Sequence, residues 1–327
     1  MTKGITRRHA LGLIAGASIL PHVAQAAGME AISGQAFGTS WQLVALPEAD
    51  FGLSSKRSSE AVGTEINTLF AKIDRQFSPY RGDSLISQFN ATHDGAFLQD
   101  KDFELVTQKA LHIAKQSEGF FDPTVGPLVA RWGFGPITTG DTPDWRGITA
   151  GPKGVGKTSG ALTLDLCGIA KGWALDEGSR KLHALGLEDF LFDLGGELVA
   201  FGTHPSGRDW RVAIESAAAD RPSPAALRLP SGMAVATSGI TAQSYMLRAM
   251  TYGHIIDPRR GAQVQGRLRS VSVISEDAAT ADGWATALFA AGDKFGPEMA
   301  QAMELAAVFV FADGETRHTR AMAGFLV

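Results

Sequence analysis

Residues 119–135, with the sequence GFFDPTVGPLVARWGFG, constrain the fold of this 327-residue chain more than any other segment. The segment holds too many glycine and proline residues for a regular helix or strand. It is also too apolar for a solvated loop. Such a run suits a pocket for a flat ring, with the Asp122 carboxylate facing the ring's polar edge. A packed loop between two elements is the alternative. The aromatic side chains around Asp122 are Phe120, Phe121, Trp132 and Phe134.

The N-terminus predicts export. The pair Arg7-Arg8 precedes an apolar stretch over residues 11–20, and Ala24-Gln25-Ala26 supplies a small-x-small cleavage site. This order is typical of a twin-arginine (Tat) signal peptide over residues 1–26, which predicts a periplasmic protein. The apolar stretch is too short to span a bilayer, so no membrane anchor is expected. A cytosolic protein with a chance arginine pair is the alternative.

Charge and cysteine content exclude some partners. Removal of residues 1–26 takes away Lys3, Arg7 and Arg8 but no acidic residue, which leaves 27 basic and 34 acidic residues and a net charge of −7. That balance disfavours a nucleic-acid partner. Cys167 is the only cysteine, so no internal disulfide and no N-terminal lipid-anchored cysteine are expected.

The order of predicted elements favours an α+β fold. Apolar spacing predicts helices over residues 58–77, 102–117 and 278–291, with a further helix beginning near Ile169. These elements follow no regular βαβ order, so residues 27–327 are predicted to form one α+β domain. Strands are predicted over residues 37–46, 162–166, 210–215, 233–237, 269–275 and 306–311, and a hairpin over 190–201 that turns at Gly195-Gly196.

Residues 151–158, GPKGVGKT, match the P-loop pattern GxxxxGK[ST]. A working P-loop needs a buried strand before it and a helix directly after it, because the helix N-terminus binds the phosphates. The polar residues 141–147 precede this segment, and Ser159-Gly160 follows it. A polar hairpin turn is therefore predicted instead of an ATP site.

Two segments carry candidate chemistry. Residues 165–176, DLCGIAKGWALD, are predicted to join a strand end to a helix, with Lys171 in the first helical turn. The helix dipole disfavours a cation there, so an anionic partner would explain it, although a solvent-facing lysine is the alternative. Asp282 and Thr286 lie one helical turn apart and offer two hard oxygen ligands for Mg²⁺. A capping aspartate with a back-bonded threonine is the alternative.

Residues 254–261, HIIDPRRG, predict a turn that begins at Asp257-Pro258 and closes at Gly261. A histidine at the head of such a turn can act as a base or face a phosphate. A structural role for His254 stays open.

These segments, in this order, resemble the ApbE family, the FAD:protein FMN transferases. The resemblance covers residues 37–291 and rests on similarity to eight family patterns. They are MGT (37–39), FSxYxxxSxxSxxN (77–90), FDPTVGPLxxLWGFG (121–135), DLGGIAKGYAVD (165–176), LGGD (194–197), ATSG (236–239), HIIDPRTG (254–261) and ADALATALF (281–289). Within these patterns the chain departs at Phe37, Arg131, Cys167, Trp173, Leu175, Glu197, Arg260, Gly283 and Trp284. Directly after the ATSG pattern, Ile240 stands where the family often has Asp or Asn.

The resemblance implies a fold and a set of roles. The fold would be a single ApbE-type (T-fold-like) domain of mixed, largely antiparallel sheets flanked by helices. Mg²⁺ would be held by Asp282, Thr286 and the Gly168 carbonyl, and His254 or Asp282 would be the catalytic base. The residues implied in FAD binding are Phe37, Tyr80, Phe120, Phe121, Asp122, Asp165, Lys171 and Ile256.

The implied function is Mg²⁺-dependent transfer of FMN from FAD, the substrate, to a Ser or Thr hydroxyl of a target flavoprotein, with release of AMP. Mg²⁺-dependent hydrolysis of FAD to FMN and AMP, and non-catalytic flavin binding or delivery, are the alternatives. The family's acceptors are subunits of membrane electron-transfer complexes of Rnf, Nqr or NosR type that carry a D-x-[ST]-G-[AS]-[ST]-like motif. The twin-arginine signal resembles that of the NosX-like branch.

Overall fold

The structure, a computed structural model, describes residues 29–45, 59–214, 223–240, 244–247 and 250–327. Within these ranges helices and antiparallel strands are mixed without a βαβ order, which confirms the predicted α+β class. The predicted signal peptide, residues 1–26, lies outside the described residues. None of the helices in the described ranges has the length and apolar character that a membrane span needs.

The bounds of the elements are as follows. The helices are α1 (Ser59–Phe77), α2 (Leu85–Asn90), α3 (Lys101–Gln116), α4 (Gly126–Arg131), α5 (Cys167–Ala184) and α6 (Ala278–Ala302), with 3-10 turns at Trp145–Gly147 and Ala321–Phe325. The strands are β1 (Glu30–Ala36), β2 (Thr39–Ala45), β3 (Phe97–Leu98), β4 (Ile148–Gly151), β5 (Gly154–Lys157), β6 (Phe190–Leu194), β7 (Glu197–Phe201), β8 (Trp210–Ala213), β9 (Ala226–Leu229), β10 (Met233–Gly239), β11 (Ser244–Leu247), β12 (Met250–Gly253), β13 (Ile256–Asp257), β14 (Ala262–Gln263), β15 (Leu268–Ser275), β16 (Ala306–Phe311) and β17 (Thr316–His318).

The main sheet carries the fold. In the described residues its strands run in the order β1-β2-β6-β7-β10-β15-β16-β17, and every neighbouring pair is antiparallel. Both faces are buried, because alternate residues of a strand point to opposite faces. In β16, Phe309 packs toward the helices, whereas Val308 and Val310 pack toward the β8–β9 hairpin. A strand buried on both faces therefore has the continuous apolar sequence AAVFVF.

The helices pack on one face of the sheet, where the predicted periodicity is confirmed. In α1, Val62, Ile66, Ile73 and Phe77 are buried, as their spacing requires. Helix α3 begins after Asp100, whose Oδ1 accepts a hydrogen bond from the Phe103 N–H at 2.9 Å.

Helix α6 has non-helical backbone angles at one internal residue. Gly292 lies at φ 78° and ψ −173°, so the first part of α6 ends where the apolar spacing placed the end of the helix, at Ala291.

The predicted strand over residues 162–166 is wrong. This segment is not part of a strand ladder, because a side chain takes the place of a neighbouring strand. The Asn90 Oδ1 accepts a hydrogen bond from the Leu164 N–H at 2.7 Å. The Asn90 Nδ2 donates a hydrogen bond to the Leu164 carbonyl at 2.9 Å. The Asp165 N–H donates to the Pro123 carbonyl at 2.7 Å. These bonds satisfy the backbone polar groups that a strand would otherwise pair.

Two other boundaries differ from the prediction. Helix α5 begins at Cys167, so Lys171 is its fifth residue and lies beyond the first turn. The first predicted strand begins at Thr39, because Phe37 and Gly38 form a tight turn with φ 51° and 74° between β1 and β2. Two positive φ values are typical of the two-residue hairpin turn that matches strand twist. Strand β1 was missed, because the sequence reading placed the first strand no earlier than Phe37.

Candidate active site

Helices α5 and α6 cross at a contact that glycine permits. A Cβ on Gly172 would lie 2.3 Å from the Ala278 carbonyl oxygen, so a larger residue would force the two helices apart. Asp176, one turn later in α5, accepts hydrogen bonds from the Ala278 and Ala279 N–H groups at 2.7 and 3.0 Å. These bonds cap the start of α6 and fix its position against α5.

The three predicted metal ligands converge at this crossing. Asp282 is buried, and its Oδ2 accepts a hydrogen bond from the Gly172 N–H at 3.1 Å. Thr286 lies one turn further along α6, and its hydroxyl is 3.1 Å from the Ser238 hydroxyl on β10. A Cβ on Gly168 would be 3.3 Å from the Thr286 Oγ1, which places the start of α5 directly against Thr286.

The donor set at this crossing fits a hard cation. It combines a carboxylate, a hydroxyl and a main-chain carbonyl, all of them oxygen ligands of the kind that Mg²⁺ prefers. The regular helical acceptor of the Gly172 N–H is the Gly168 carbonyl, yet this N–H also donates to Asp282. Because Asp282 shares that donor, the Gly168 carbonyl retains capacity for another partner.

A buried charge cluster surrounds this donor set. The Lys171 ammonium contacts the Glu197 carboxylate, which is only 2% exposed. Burial disfavours the charge on Lys171, but the carboxylates of Glu197 and Asp282 outweigh it and raise the pKa of Lys171. Burial raises the pKa of Glu197 and of Asp282, and Lys171 opposes this effect at both. The Glu197 Oε2 has no hydrogen-bond partner in the described part of the chain, so the cluster has unused acceptor capacity.

Glu197 was missed as a site residue. The sequence marked it only as a departure from the family's LGGD pattern. Residues Gly195 and Gly196 turn the β6–β7 hairpin with φ 64° and 98°, and this turn places Glu197 beside Lys171. A buried strand that begins with an acid directly after a glycine pair is the signal that could have identified it.

Asp165 organises the start of α5. Its Oδ1 accepts a hydrogen bond from the Cys167 N–H at 3.0 Å. Its own N–H donates a hydrogen bond to the Pro123 carbonyl in the aromatic segment. Tyr80 is 70% exposed, and partial burial, Cys167 and Asp165 together raise its pKa. Tyr80 therefore lies near Asp165 at the open side of the site.

The aromatic segment is packed rather than open. Phe121 is 4% exposed and lies against the start of α5, where its Cε2 is 3.2 Å from a Cβ built on Gly168. The Phe120 ring has the Arg259 guanidinium 4.4 Å from its centroid and the Phe295 ring 6.4 Å away. These contacts bring the segment to the metal-ligand candidates.

The Asp122 carboxylate is engaged within its own loop. Its Oδ1 accepts hydrogen bonds from the Thr124 N–H and hydroxyl at 2.8 and 2.6 Å, and its Oδ2 accepts the Trp145 N–H at 3.4 Å. Burial raises its pKa. In this structure Asp122 shapes the loop, and its predicted contact with a ring edge stays a prediction.

The predicted turn after His254 is confirmed. The Asp257 Oδ1 accepts the N–H groups of Arg259 and Arg260 at 3.0 and 3.3 Å, and Gly261 closes the turn with φ 62°. Ile256 is buried at the start of β13. The His254 ring is half-buried and meets the edge of the Phe134 ring at 6.3 Å, which links the turn to the aromatic segment.

Phe37 lies at the tip of the β1–β2 hairpin, and its ring is 5.6 Å from the Phe70 ring. On β2, the Ser40 main-chain carbonyl accepts a hydrogen bond from the Gly195 N–H at 3.0 Å. This bond joins the β1–β2 hairpin to the turn that presents Glu197, although the two turns lie far apart in the sequence.

The P-loop-like segment takes no part in the site. Residues 151–157 form the turn and the second strand of the β4–β5 hairpin. The predicted hairpin is confirmed, but among these residues only the turn is exposed: β5 is buried, and Lys157 at its end is 3% exposed. The Lys157 ammonium donates to the carbonyls of Asn90, Gly160 and Leu162 at 3.0, 2.9 and 2.9 Å. Its donors are therefore used inside the fold.

Comparison with known proteins agrees with this arrangement. The profile of the ApbE family matches residues 37–309. An "FAD:protein FMN transferase" of Vibrio cholerae is 31% identical over 293 residues, covering 85% of this chain and 86% of that protein. A protein of Haemophilus influenzae with the same name is 29% identical over 90% of both chains.

Solved structures show the same architecture. "Flavin Transferase ApbE from Vibrio cholerae" superposes with a TM-score of 0.79 at 29% identity and covers 91% of this chain and 100% of its own. The apo form of "Pseudomonas stutzeri flavinyl transferase ApbE" superposes with a TM-score of 0.80 at 29% identity, over 90% of this chain and 96% of its own.

Proposed function

This chain belongs to the ApbE family and is an FAD:protein FMN transferase, and from this premise we propose how its residues divide the work of the transfer. In the proposed reaction, a Ser or Thr hydroxyl of the acceptor attacks the FMN-side phosphorus of FAD. The bond from that phosphorus to the bridging oxygen breaks, and AMP leaves with the oxygen. The hydroxyl proton passes to a base. Such a reaction depends on positioning and on neutralisation of phosphate charge.

The convergence of Gly168, Asp282 and Thr286 carries this proposal. These residues lie together at the α5–α6 crossing. The Asp282 carboxylate, the Thr286 hydroxyl and the Gly168 carbonyl would hold Mg²⁺, which when bound would neutralise the charge of the pyrophosphate. Lys171 stands beside them as a fixed cation, held by Glu197. The unpartnered Glu197 Oε2 supports the idea that this cluster completes its charge balance with a further cation.

FAD would lie along the surface that these elements share. Asp165 and Tyr80 flank the open side at the start of α5, and the aromatic segment packs behind Gly168. His254 is our candidate for the base, with Asp282 as the second candidate. The residues we assign to FAD are Phe37, Tyr80, Phe120, Phe121, Asp122, Asp165, Lys171 and Ile256.

The test of the metal assignment is Asp282→Ala. It removes the only charged group among the proposed Mg²⁺ ligands, so transfer should fall by about 10³-fold. Thr286→Val should lower the transfer rate by less, because the lost ligand is neutral and valine has a similar volume to threonine. The assay follows FMN attachment to a peptide with the D-x-[ST]-G-[AS]-[ST] motif during a Mg²⁺ titration, and Glu298→Ala, exposed on the same helix, is the control.

The outcomes of this assay are distinct. Labelled peptide indicates transfer, free FMN with AMP indicates hydrolysis, and unchanged FAD indicates binding alone. Labelling by Asp282→Ala at the wild-type rate under limiting Mg²⁺ would disprove the ligand assignment.

The role of His254 has its own test. General-base assistance is typically worth about 10²–10⁴-fold, so His254→Ala should lower the single-turnover rate at saturating FAD by that factor. The dissociation constant of FAD should change less. If FAD binding is lost and the saturated rate stays unchanged, His254 is a binding residue, and Asp282 becomes the better candidate for the base.

We also propose that the protein is exported by the Tat pathway to the periplasm, where it serves a flavoprotein subunit of an Rnf, Nqr or NosR type complex. The order of residues 1–26 supports export. Replacing Arg7 and Arg8 together by lysine should leave uncleaved precursor in the cytoplasm. Normal processing of that double variant would show that the arginine pair is incidental.

A further inference from the structure

A cleft of about 220 Å³ opens beside the proposed Mg²⁺ residues and has no role in the assignments above. It lies where the end of β10 meets β14 and the residues that follow it, the start of β15 and the middle of α6. Among the residues that line it are Ile240, Gly253, Ile255, Gln263, Arg269 and Phe289.

The cleft adjoins the site along two independent elements. Ser238, which contacts Thr286, and Ile240, which lines the cleft, are two residues apart, and the Ile240 N–H continues the pairing with β15 by donating to the Arg269 carbonyl at 3.2 Å. Alternate residues share a face of a strand. On α6, Phe289 follows Thr286 by three residues, which is a rise of about 4.5 Å. The cleft is therefore one helical turn from the proposed cation ligands.

Three of the described residues that line the cleft have side-chain donors, namely Gln263, Gln265 and Arg269, and the others are apolar residues or glycines. Arg269 is half-buried, and its Nη1 donates to the Leu268 carbonyl at 3.2 Å. Gln263 is 6% exposed, and its buried Nε2 lacks an acceptor among the described residues. None of the described residues that line the cleft is acidic, and the nearby Asp293 accepts the Arg267 N–H at 3.3 Å. Such a lining suits a group that carries negative charge.

Residues 254–269 contain four arginines, and one of them, Arg269, lines the cleft. The other three have partners elsewhere: Arg267 contacts Asp313 and Glu315, Arg260 contacts Asp257, and Arg259 lies over the Phe120 ring. FAD carries two phosphates, and in the proposed function both lie at the Mg²⁺ residues. An anionic group bound in the cleft, one helical turn away, would then belong to the other substrate.

We propose that this cleft binds an acidic side chain of the acceptor polypeptide and so sets its hydroxyl against FAD. The inference rests on the proposed function, because only a transferase needs to hold a second polypeptide. Arg269 is the specificity-determining residue.

The experiment compares two acceptor peptides that differ only in the aspartate of the D-x-[ST]-G-[AS]-[ST] motif, which is replaced by asparagine in the second. With the wild-type protein, the asparagine peptide should have a KM at least about tenfold higher, because a charge-assisted hydrogen bond is lost. Arg269→Met should raise the KM of the aspartate peptide by a similar factor. With Arg269→Met and the asparagine peptide together, the KM should be no higher than with either change alone, because both changes remove the same interaction.

The controls separate the cleft from the rest of the site. The kcat and the dissociation constant of FAD should stay at the wild-type values in Arg269→Met, and Arg269→Lys should recover part of the lost affinity. Arg267→Met is the matched control, because this neighbouring arginine contacts Asp313 and Glu315 away from the cleft. This variant should have the wild-type KM for each of the two peptides.

Three results would overturn the inference. The first is a wild-type protein that labels both peptides with the same KM, a comparison that needs no variant to fold. The second is an Arg269→Met protein that loses affinity for FAD instead of peptide, which would assign the cleft to a phosphate of FAD. The third is a wild-type protein that cleaves FAD but labels neither peptide, which contradicts the proposed function itself.

Discussion

Lys157 and Lys171 both lie in glycine-containing segments that suggest phosphate binding, and the fold surrounds them with different partners. Lys157 ends the β4–β5 hairpin, where three neutral carbonyls accept its three N–H groups. Burial lowers its pKa, and Asp94 opposes this effect. With every donor used by main-chain oxygens, this ammonium holds α2 and residues 160–162 together and has no capacity for a ligand.

Lys171 is held by charge instead. Its ammonium contacts Glu197, and Asp282 adds a further carboxylate nearby, which together raise its pKa against the effect of burial. Its side chain is 34% exposed, whereas Glu197 is almost fully buried. One side of Lys171 is therefore anchored in the fold and the other can meet an anion. The difference between the two lysines lies in the partners, because neutral carbonyls satisfy a cation completely and carboxylates create a charged site.

The largest effect is expected for Lys157→Met, on stability. Three carbonyls lose their donor in a buried position, so the free energy of unfolding should fall by about 3–5 kcal/mol. Urea unfolding measures it, and Lys153→Met, exposed on the same hairpin, is the control. The transfer rate per folded molecule should stay at the wild-type value. If Lys157→Met instead lowers the transfer rate without lowering the free energy of unfolding, then Lys157 has a role in the reaction and the assignment of the two lysines is wrong.

Lys171→Met should act mainly on transfer. Loss of a cation that we propose to lie at the pyrophosphate should lower the rate by about 10²-fold. The free energy of unfolding should fall by less than in Lys157→Met, because burial favours the neutral form of the abandoned Glu197. Single-turnover kinetics and urea unfolding on the same preparation check both. An unchanged transfer rate would show that Lys171 is only a structural partner of Glu197.

Glu197→Gln should lower the transfer rate by less than Lys171→Met, and it tests whether the charge of Glu197 anchors Lys171. The amide preserves the shape but removes the anchoring charge, so we expect about a tenfold loss of transfer rate. Combined with Lys171→Met, it should restore the unfolding free energy toward the wild-type value without restoring transfer, because no buried acidic side chain is then left without its partner. Additive losses of stability in the double variant would mean that the two side chains do not act as a pair.

The smallest effect is expected for Thr158→Ala, at the last residue of the P-loop-like pattern. Thr158 is exposed, so the unfolding free energy should change by less than about 0.5 kcal/mol. ATP with Mg²⁺ should not raise the melting temperature of either the wild-type protein or this variant. A rise that the variant abolishes would show that residues 151–158 bind a nucleotide after all.

Much of the site was predictable because its residues lie close together in the sequence. Asp282 and Thr286 share one face of α6 by helical spacing alone, and the Asp257-Pro258 turn follows from its residue types. The strand predicted at residues 162–166 failed for a physical reason. Alternation reports which residues are buried, but it cannot reveal that Asn90, far away in the chain, supplies the hydrogen bonds of a neighbouring strand.

The sequence by itself determined the α+β class, the amphipathic helices α1 and α3 and the β6–β7 hairpin. All of these depend on periodicity and turn chemistry within short windows. Only the tertiary structure decided that Gly172 lets α5 and α6 approach closely enough for Asp282 to reach its N–H, and that Glu197 holds Lys171. Those contacts join residues 110 and 26 positions apart, and the free energy of such long-range contacts depends on how the whole core packs. The charge of Lys171 is visible in the sequence, whereas its partners are a property of the fold.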